Sequence, residues 1–450
     1  MTTGTILIGI SIALIAGLVS NRLIKLVHLP NVTAYLIVGI LLGPYLFGLF
    51  INGYDGIITK EMVKSFGVIV DVALGFIAFS IGGEFKLSSI KKIGFGVITI
   101  TIMQSGMALI FVDIVLVIVC LIMNKLSYFL PLILTLGAVA TATAPAATLM
   151  VVKQYKAHGP VTDILLPVVA FDDAVGLILF SISFAIAQVF AKQYAGVAVD
   201  INIVSVILIP LLEIVLSLVV GGIIGAVLAF AMKWFKSRAN RLICMLAVVF
   251  LGVALCEVCS EKFGLEMSSL LTCMMIGAVF CNIRQDAIVI LDGVERWTPA
   301  LFMLFFILSG SELEFSVMGR GIVVLICAFY VLARSLGKYF GARWGSCITK
   351  ENENIRKYLG FTLLPQAGVA IGMARSSSST FRTIADTAAN LSQSGIDYLY
   401  DIASIITAVV LCATLVYELL GPVITKIALT KAGEIIPEEK KKKVKEPKNN

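Results

Sequence analysis

Long apolar runs recur along the whole chain, and they constrain its fold more than any other feature. They lie near residues 3–22, 32–50, 65–83, 97–122, 130–151, 161–190, 203–232, 241–257, 265–282, 299–317, 321–345, 357–375 and 398–425. A helix needs about 20 apolar residues to cross the hydrocarbon core of a bilayer. The pattern predicts an all-α polytopic membrane protein with 13 transmembrane helices, with no sizeable soluble domain among the 450 residues. Only 14% of the residues are charged and the mean hydropathy is +1.00. Soluble chains carry about 25% charge, so a water-soluble fold is excluded.

An odd number of spans puts the termini on opposite sides, and loop charge tests that expectation. Loops on the C-terminal side carry 17 Lys and Arg residues against eight on the other, and the tail from Lys426 adds eight more. Basic loops mark the cytoplasmic face, so the N-terminus is expected outside and the C-terminus in the cytoplasm. The same bias accounts for the net charge of +7 without nucleic acid. The Lys440–Lys445 run reads as a solvated tail near anionic lipid. The first run lacks the basic n-region and small-residue cleavage site of a signal peptide, so it reads as a span. The nine cysteines lie in or beside apolar runs. Cys256 and Cys259 form a CxxC with no second pair and no nearby His, so no metal or redox cofactor is expected.

Backbone groups in hydrocarbon must be hydrogen-bonded within the protein, so a helix breaks at membrane depth only where protein or a water-filled cavity covers the break. Two spans invite such a break. Thr141 to Thr148 places Pro145 among three hydroxyls, and Leu364 to Gly368 places Pro365 beside Gln366 and a glycine. The prolines are 220 residues apart. Repeat one (about 3–190) and repeat two (about 241–425), joined by a linker helix at 203–232, would each have a broken second-to-last helix. Six spans plus a linker span invert the second repeat. This is the inverted-repeat pattern of secondary transporters, with the site between discontinuous helices at the midplane.

An ionisable side chain deep in a span costs at least about 2.5 to 3.5 kcal/mol on insertion scales, so each is a functional candidate. Asp172 and Asp173 lie in the middle of the sixth run. Two adjacent buried carboxylates cannot both remain bare anions, so at least one must bind a proton or a cation. Arg334 is the matching buried cation, able to pair with a carboxylate or to face the carbonyl ends of a half-helix. Lys338, one turn nearer the cytoplasm, reads as an interfacial residue whose long side chain snorkels. Asp71, Asp113, Glu213, Glu312 and Glu314 are weaker candidates, equally suited to an approach funnel, helix pairing or the interface. Four GxxxG pairs (Gly39/Gly43, Gly221/Gly225, Gly337/Gly341, Gly368/Gly372) indicate close helix packing. His28 and His158 read as solvated loop histidines.

Together these residues resemble the monovalent cation/proton antiporters, in the double-aspartate branch of bacterial sodium/proton exchangers. The likeness rests on Leu29-Pro30, the Tyr35 to Pro44 segment, Thr143-Ala144-Pro145, Asp172-Asp173, Arg334 with Gly337, and Pro365 to Gly368. The resemblance implies the Na+/H+ antiporter fold with two crossed discontinuous helices. It also implies a homodimer in the bacterial cell membrane, with a dimerisation domain and a core domain that moves as an elevator. By the family motif, Asp173 is the principal cation and proton carboxylate and Asp172 its partner, salt-bridged in the empty state. Thr143 and Ala144 would offer backbone carbonyls. Charge-moving members carry Lys at the position matched to Arg334, whereas Arg there is similar to the electroneutral branch, so the signature is mixed.

The expected function is exchange of Na+, with K+ or Li+ as alternatives, for protons by alternating access; the metal ion is cargo held by Asp172 and Asp173. The alternative is a sodium-coupled organic solute symporter of the same architecture, which would need more polar groups near the breaks than Gln366. An intramembrane aspartyl protease would need a GxGD that Tyr400-Asp401 lacks.

Overall fold

The computed structural model describes residues 3–27, 31–48, 56–84, 86, 95–144, 148, 151–152, 155–197, 209–263, 265, 267–388 and 391–435. Every element among them is helical. The first half comprises α1 (Thr3–Val27), α2 (Asn31–Leu42), α3 (Pro44–Gly48), α4 (Lys60–Ser65), α5 (Gly67–Glu84), α6 (Phe95–Ile122), α7 (Leu126–Val139) and α8 (Pro160–Ala195). A single helix, α9 (Ile209–Ala231), leads to α10 (Arg238–Phe263), α11 (Ser269–Ile283), α12 (Ala287–Trp297) and α13 (Pro299–Ser311). The chain continues through α14 (Phe315–Met318), α15 (Gly321–Ile348), α16 (Glu353–Thr362), α17 (Gly368–Thr387) and α18 (Gln393–Lys431). Pro145, His28, Leu29-Pro30, the start of the linker run and the Lys440–Lys445 tail lie outside the described residues.

Helix occurs within each of the thirteen apolar runs, and seven helices are long and apolar enough to cross a membrane by length and composition alone. The others are short or interrupted for local reasons. The tenth run is shorter than its apolarity suggests: α13 closes at Ser311, with Glu312 as C-cap. The twelfth run is two helices, α16 and α17, separated by extended backbone at 364–367. In the fifth run, α7 ends at Val139 and residues 142–144 are non-helical.

The packing repeats itself in inverted order. α2 lies on α13 through Gly39 and Gly310: a Cβ on Gly39 would collide with the Ile307 carbonyl, and one on Gly310 with the Leu36 carbonyl. α5 lies on α11 in the same way, Gly82 against the Met274 carbonyl and Gly277 against that of Phe79. Second and third spans of one half thus meet third and second spans of the other through reciprocal glycine contacts. Close backbone approach of this kind replaces the hydrophobic drive that lipid cannot supply. α6 packs along α15, and the two interrupted spans cross beside them.

α8 has a glycine, Gly159, at its N-cap and therefore no capping side chain of its own. Glu434, just beyond α18 and buried, supplies the cap. Its carboxylate accepts Val161 N–H at 2.6 Å, Thr162 N–H at 2.9 Å and the Thr162 hydroxyl at 2.7 Å. Gly159 has φ +148°, and a Cβ there would lie 2.7 Å from Glu434 Cγ. A carboxylate at a helix N-terminus satisfies orphan donors and complements the dipole. Glu434→Ala is expected to destabilise the protein by about 1 to 2 kcal/mol, read as a lower melting temperature in detergent, with Gln restoring part of the loss.

Candidate functional site

α15 brings two cations into the membrane interior. Arg334 and Lys338 are one turn apart, and both are fully buried. Arg334 binds carbonyls of both interrupted spans: Nε donates to Ala140 O at 3.0 Å, Nη2 to Ala142 O at 2.6 Å and Nη1 to Leu364 O at 2.7 Å. Its guanidinium also stacks 4.4 Å from the Tyr417 ring centroid. The C-terminal end of a helix carries partial negative charge and unpaired carbonyls. One planar cation with five donors suits two such ends at once. Of the two partners open to Arg334 from sequence, the half-helix carbonyls are the ones it takes.

The unwound stretches are stitched directly to one another. Ala144 N–H donates to Pro365 O at 2.8 Å, and the Thr143 hydroxyl donates to Leu363 O at 3.2 Å. Thr148 donates its hydroxyl to Thr362 O at 3.3 Å. Gln366 Nε2 reaches Val139 O at 3.0 Å and the Tyr330 hydroxyl at 2.9 Å. Pro365 and Gln366 therefore sit at the crossing, one removing a donor and the other supplying one.

Lys338 corrects the reading from sequence. Its Nζ does not snorkel to the interface but turns inward, donating to Asp172 Oδ2 at 2.9 Å, to the Thr143 hydroxyl at 2.9 Å and to the Thr141 carbonyl. Both partners of the Lys338–Asp172 ion pair have fully buried side chains. The physical reason is compensation: a buried carboxylate is tolerable when a hydrogen-bonded cation covers it. Arg334 and Lys338 both stand on α15, and of the two it is the lysine that pairs with Asp172.

Asp172 also accepts from Gln104 Nε2 and the Ser105 hydroxyl, both on α6. Gly341 lets α6 come close to α15, since a Cβ on it would lie 2.6 Å from Gln104 Cα. Asp173 is 5% exposed and follows Asp172 on α8. About 100° of helix rotation separates the two side chains. Of the residues expected to offer carbonyls, Thr143 contributes its hydroxyl to Lys338 instead, and the Ala144 carbonyl accepts Thr148 Oγ1 at 3.4 Å. Sequence reasoning missed Gln104 and Ser105. Their signal was an adjacent amide and hydroxyl in the middle of a span.

Two of the weaker candidates are bonded elsewhere. Glu312 pairs with Arg375 at 2.6 Å, and Glu314 accepts from Tyr45 at 3.2 Å and Ser404 at 3.4 Å. Asp113 packs against Gly137. His158 is exposed. Cys256 donates to the Thr272 hydroxyl at 3.4 Å, and no cluster of metal-ligating side chains occurs among the described residues.

Comparison with solved structures places this architecture among known ones. The structure of the sodium proton antiporter MjNhaP1 from Methanocaldococcus jannaschii at pH 8 matches with a TM-score of 0.72 and 17% identity, covering 94% of this chain and 97% of that one. A structure of the same antiporter from an electron-microscopy map matches with a TM-score of 0.69 and 17% identity, covering 97% and 100%. At that identity the likeness is one of fold. No curated protein matches the chain. The sequence profile of the family described as "Sodium/hydrogen exchanger, transmembrane" matches residues 10–430. By that match, which spans most of its length, the chain belongs to the transmembrane sodium/hydrogen exchanger family.

Proposed function

We infer that the protein is a secondary antiporter that exchanges a monovalent cation, Na+ before K+ or Li+, for protons at the Asp172–Asp173 site. The observation that carries this reading is the buried Lys338–Asp172 ion pair beside a second buried carboxyl, set against two crossed helix breaks. A metal ion can take both carboxylates only after the ammonium leaves Asp172. A desolvated lysine gives up its proton readily. With the carboxyl of Asp173 protonated and Lys338 paired, the site is neutral; with a metal ion on two carboxylates it has lost the protons of Asp173 and Lys338. Two protons then move against one cation. Arg334 cannot titrate, so its charge stays constant and holds the break.

Bare carboxylates do not cross an apolar barrier, so the site crosses only with protons or a metal ion in place, and that exclusion couples the two flows. The reading divides the chain into a scaffold of α1–α5 with α10–α13, through which two copies pair, and a moving body of α6–α8 with α15–α18, joined by α9. The N-terminus lies outside and the C-terminus in the cytoplasm of a bacterial cell.

Asp173→Asn in proteoliposomes is expected to reduce cation-driven proton movement to that of empty liposomes; retained exchange would sink the assignment. Lys338→Arg keeps a cation on Asp172 that cannot shed a proton, so it is expected to exchange without net charge movement while the unaltered protein generates a current on a supported membrane. Lys338→Ala leaves Asp172 buried and uncovered, at a cost of about 3 to 5 kcal/mol. Adding Asp172→Asn is expected to recover most of that loss in thermal unfolding.

A further inference from the structure

One buried carboxyl has no part in the exchange just described. Glu418, on α18, is 1% exposed, and its hydrogen-bond partner is the Thr33 hydroxyl of α2, which donates to Oε2 at 3.2 Å. Among the described residues no cation lies within ion-pair distance of it. The ionisable groups on the helices packed around it either hold other partners or stand toward the helix ends, as do Glu353, Arg356 and Lys357 of α16, Arg382 of α17 and Lys426 of α18. On α15, Arg334 holds carbonyls and Lys338 holds Asp172; on α17, Arg375 holds Glu312; on α7, Tyr128 holds Asp401. α2 offers only Tyr35, and α8 its aspartate pair, with Asp163, Lys192 and Tyr194 toward its ends. A bare carboxylate with one hydroxyl donor is not tolerated in such a place, whereas a neutral acid is.

A second observation points the same way. Thr414 and Thr425 are fully buried, and their hydroxyls meet no hydrogen-bond partner among the described residues. With Glu418 they fall within about 40° of one another around α18, forming a polar stripe on a helix that is otherwise apolar there. Unmet hydroxyls one turn before and two turns after a carboxyl are places where water can bind as the helix becomes wetted. The stripe adjoins the crossing: Tyr417 covers Arg334, and a Cβ on Gly421 would lie 2.8 Å from Pro365 Cγ.

We propose that Glu418 is a second proton-binding site in the membrane, held as the neutral acid against Thr33, and that its proton closes the seam between α2 and α18. This rests on the reading above, in which that seam divides scaffold from moving body. When the bodies separate, Glu418 becomes hydrated through the Thr414 and Thr425 hydroxyls and releases its proton; when they close, it takes one up. Proton binding there favours the closed seam.

The test is infrared spectroscopy of the full chain in lipid. A protonated-carboxyl C=O stretching band is expected, lost in Glu418→Gln and moved to higher wavenumber in Thr33→Val, where the hydroxyl donor is gone. A spectrum unchanged by both substitutions would overturn the proposal. After correction for the base-catalysed intrinsic rate, the protection of α2 amides against hydrogen exchange should fall as pH is raised in the unaltered protein and stay constant in Glu418→Gln; equal pH dependence of protection in the two would also overturn it. Neither readout requires transport. Failure of the antiport assignment therefore appears in the Asp173→Asn assay and not here.

Discussion

Every backbone carbonyl and amide inside a bilayer must find its partner within the protein, and the two interrupted spans violate that requirement on their own. Arg334 resolves it. A single guanidinium collects Ala140, Ala142 and Leu364, carbonyls from both breaks. Remaining groups are tied across the crossing by Ala144 to Pro365 and Gln366 to Val139. The breaks are therefore stable features, with a permanent cation where two helix dipoles end.

That arrangement divides labour between two cations one turn apart on α15. The arginine is structural because it cannot lose its charge and because its planar fork matches several acceptors. The lysine covers the acid instead, its compact ammonium on Asp172 and the Thr143 hydroxyl. Gln104 and Ser105 on α6 hold the other oxygen of Asp172, which fixes the orientation of the carboxylate.

Buried polar groups away from the crossing follow the same economy of partners. Glu434 fills the N-terminus of the very helix that carries Asp172 and Asp173, tying the end of α18 to the aspartate helix. Among the described residues Glu418 finds one hydroxyl and no cation. The contrast between them is set by what faces each carboxylate: backbone donors at a helix start for the first, a lone threonine for the second.

Much of this was legible in the order of residues. The apolar runs, the matched prolines at 145 and 365 and the aspartate doublet in mid-span declare a membrane protein with broken helices and a buried acid pair, because period, length and charge cost are properties of local sequence. What sequence could not reveal was which side chain meets which. Arg334 and Lys338 lie one turn apart on one face, and both positions admit a carboxylate, a carbonyl or the interface. Gln104 sits 68 residues from the Asp172 it contacts, and Thr33 is 385 from Glu418. Composition and pattern determined that charges would be buried and helices broken; only the packing of α6, α7, α8, α15 and α16 decided that the arginine closes the breaks and the lysine covers the acid, since a partner far away in the chain is chosen by geometry and not by neighbouring residues.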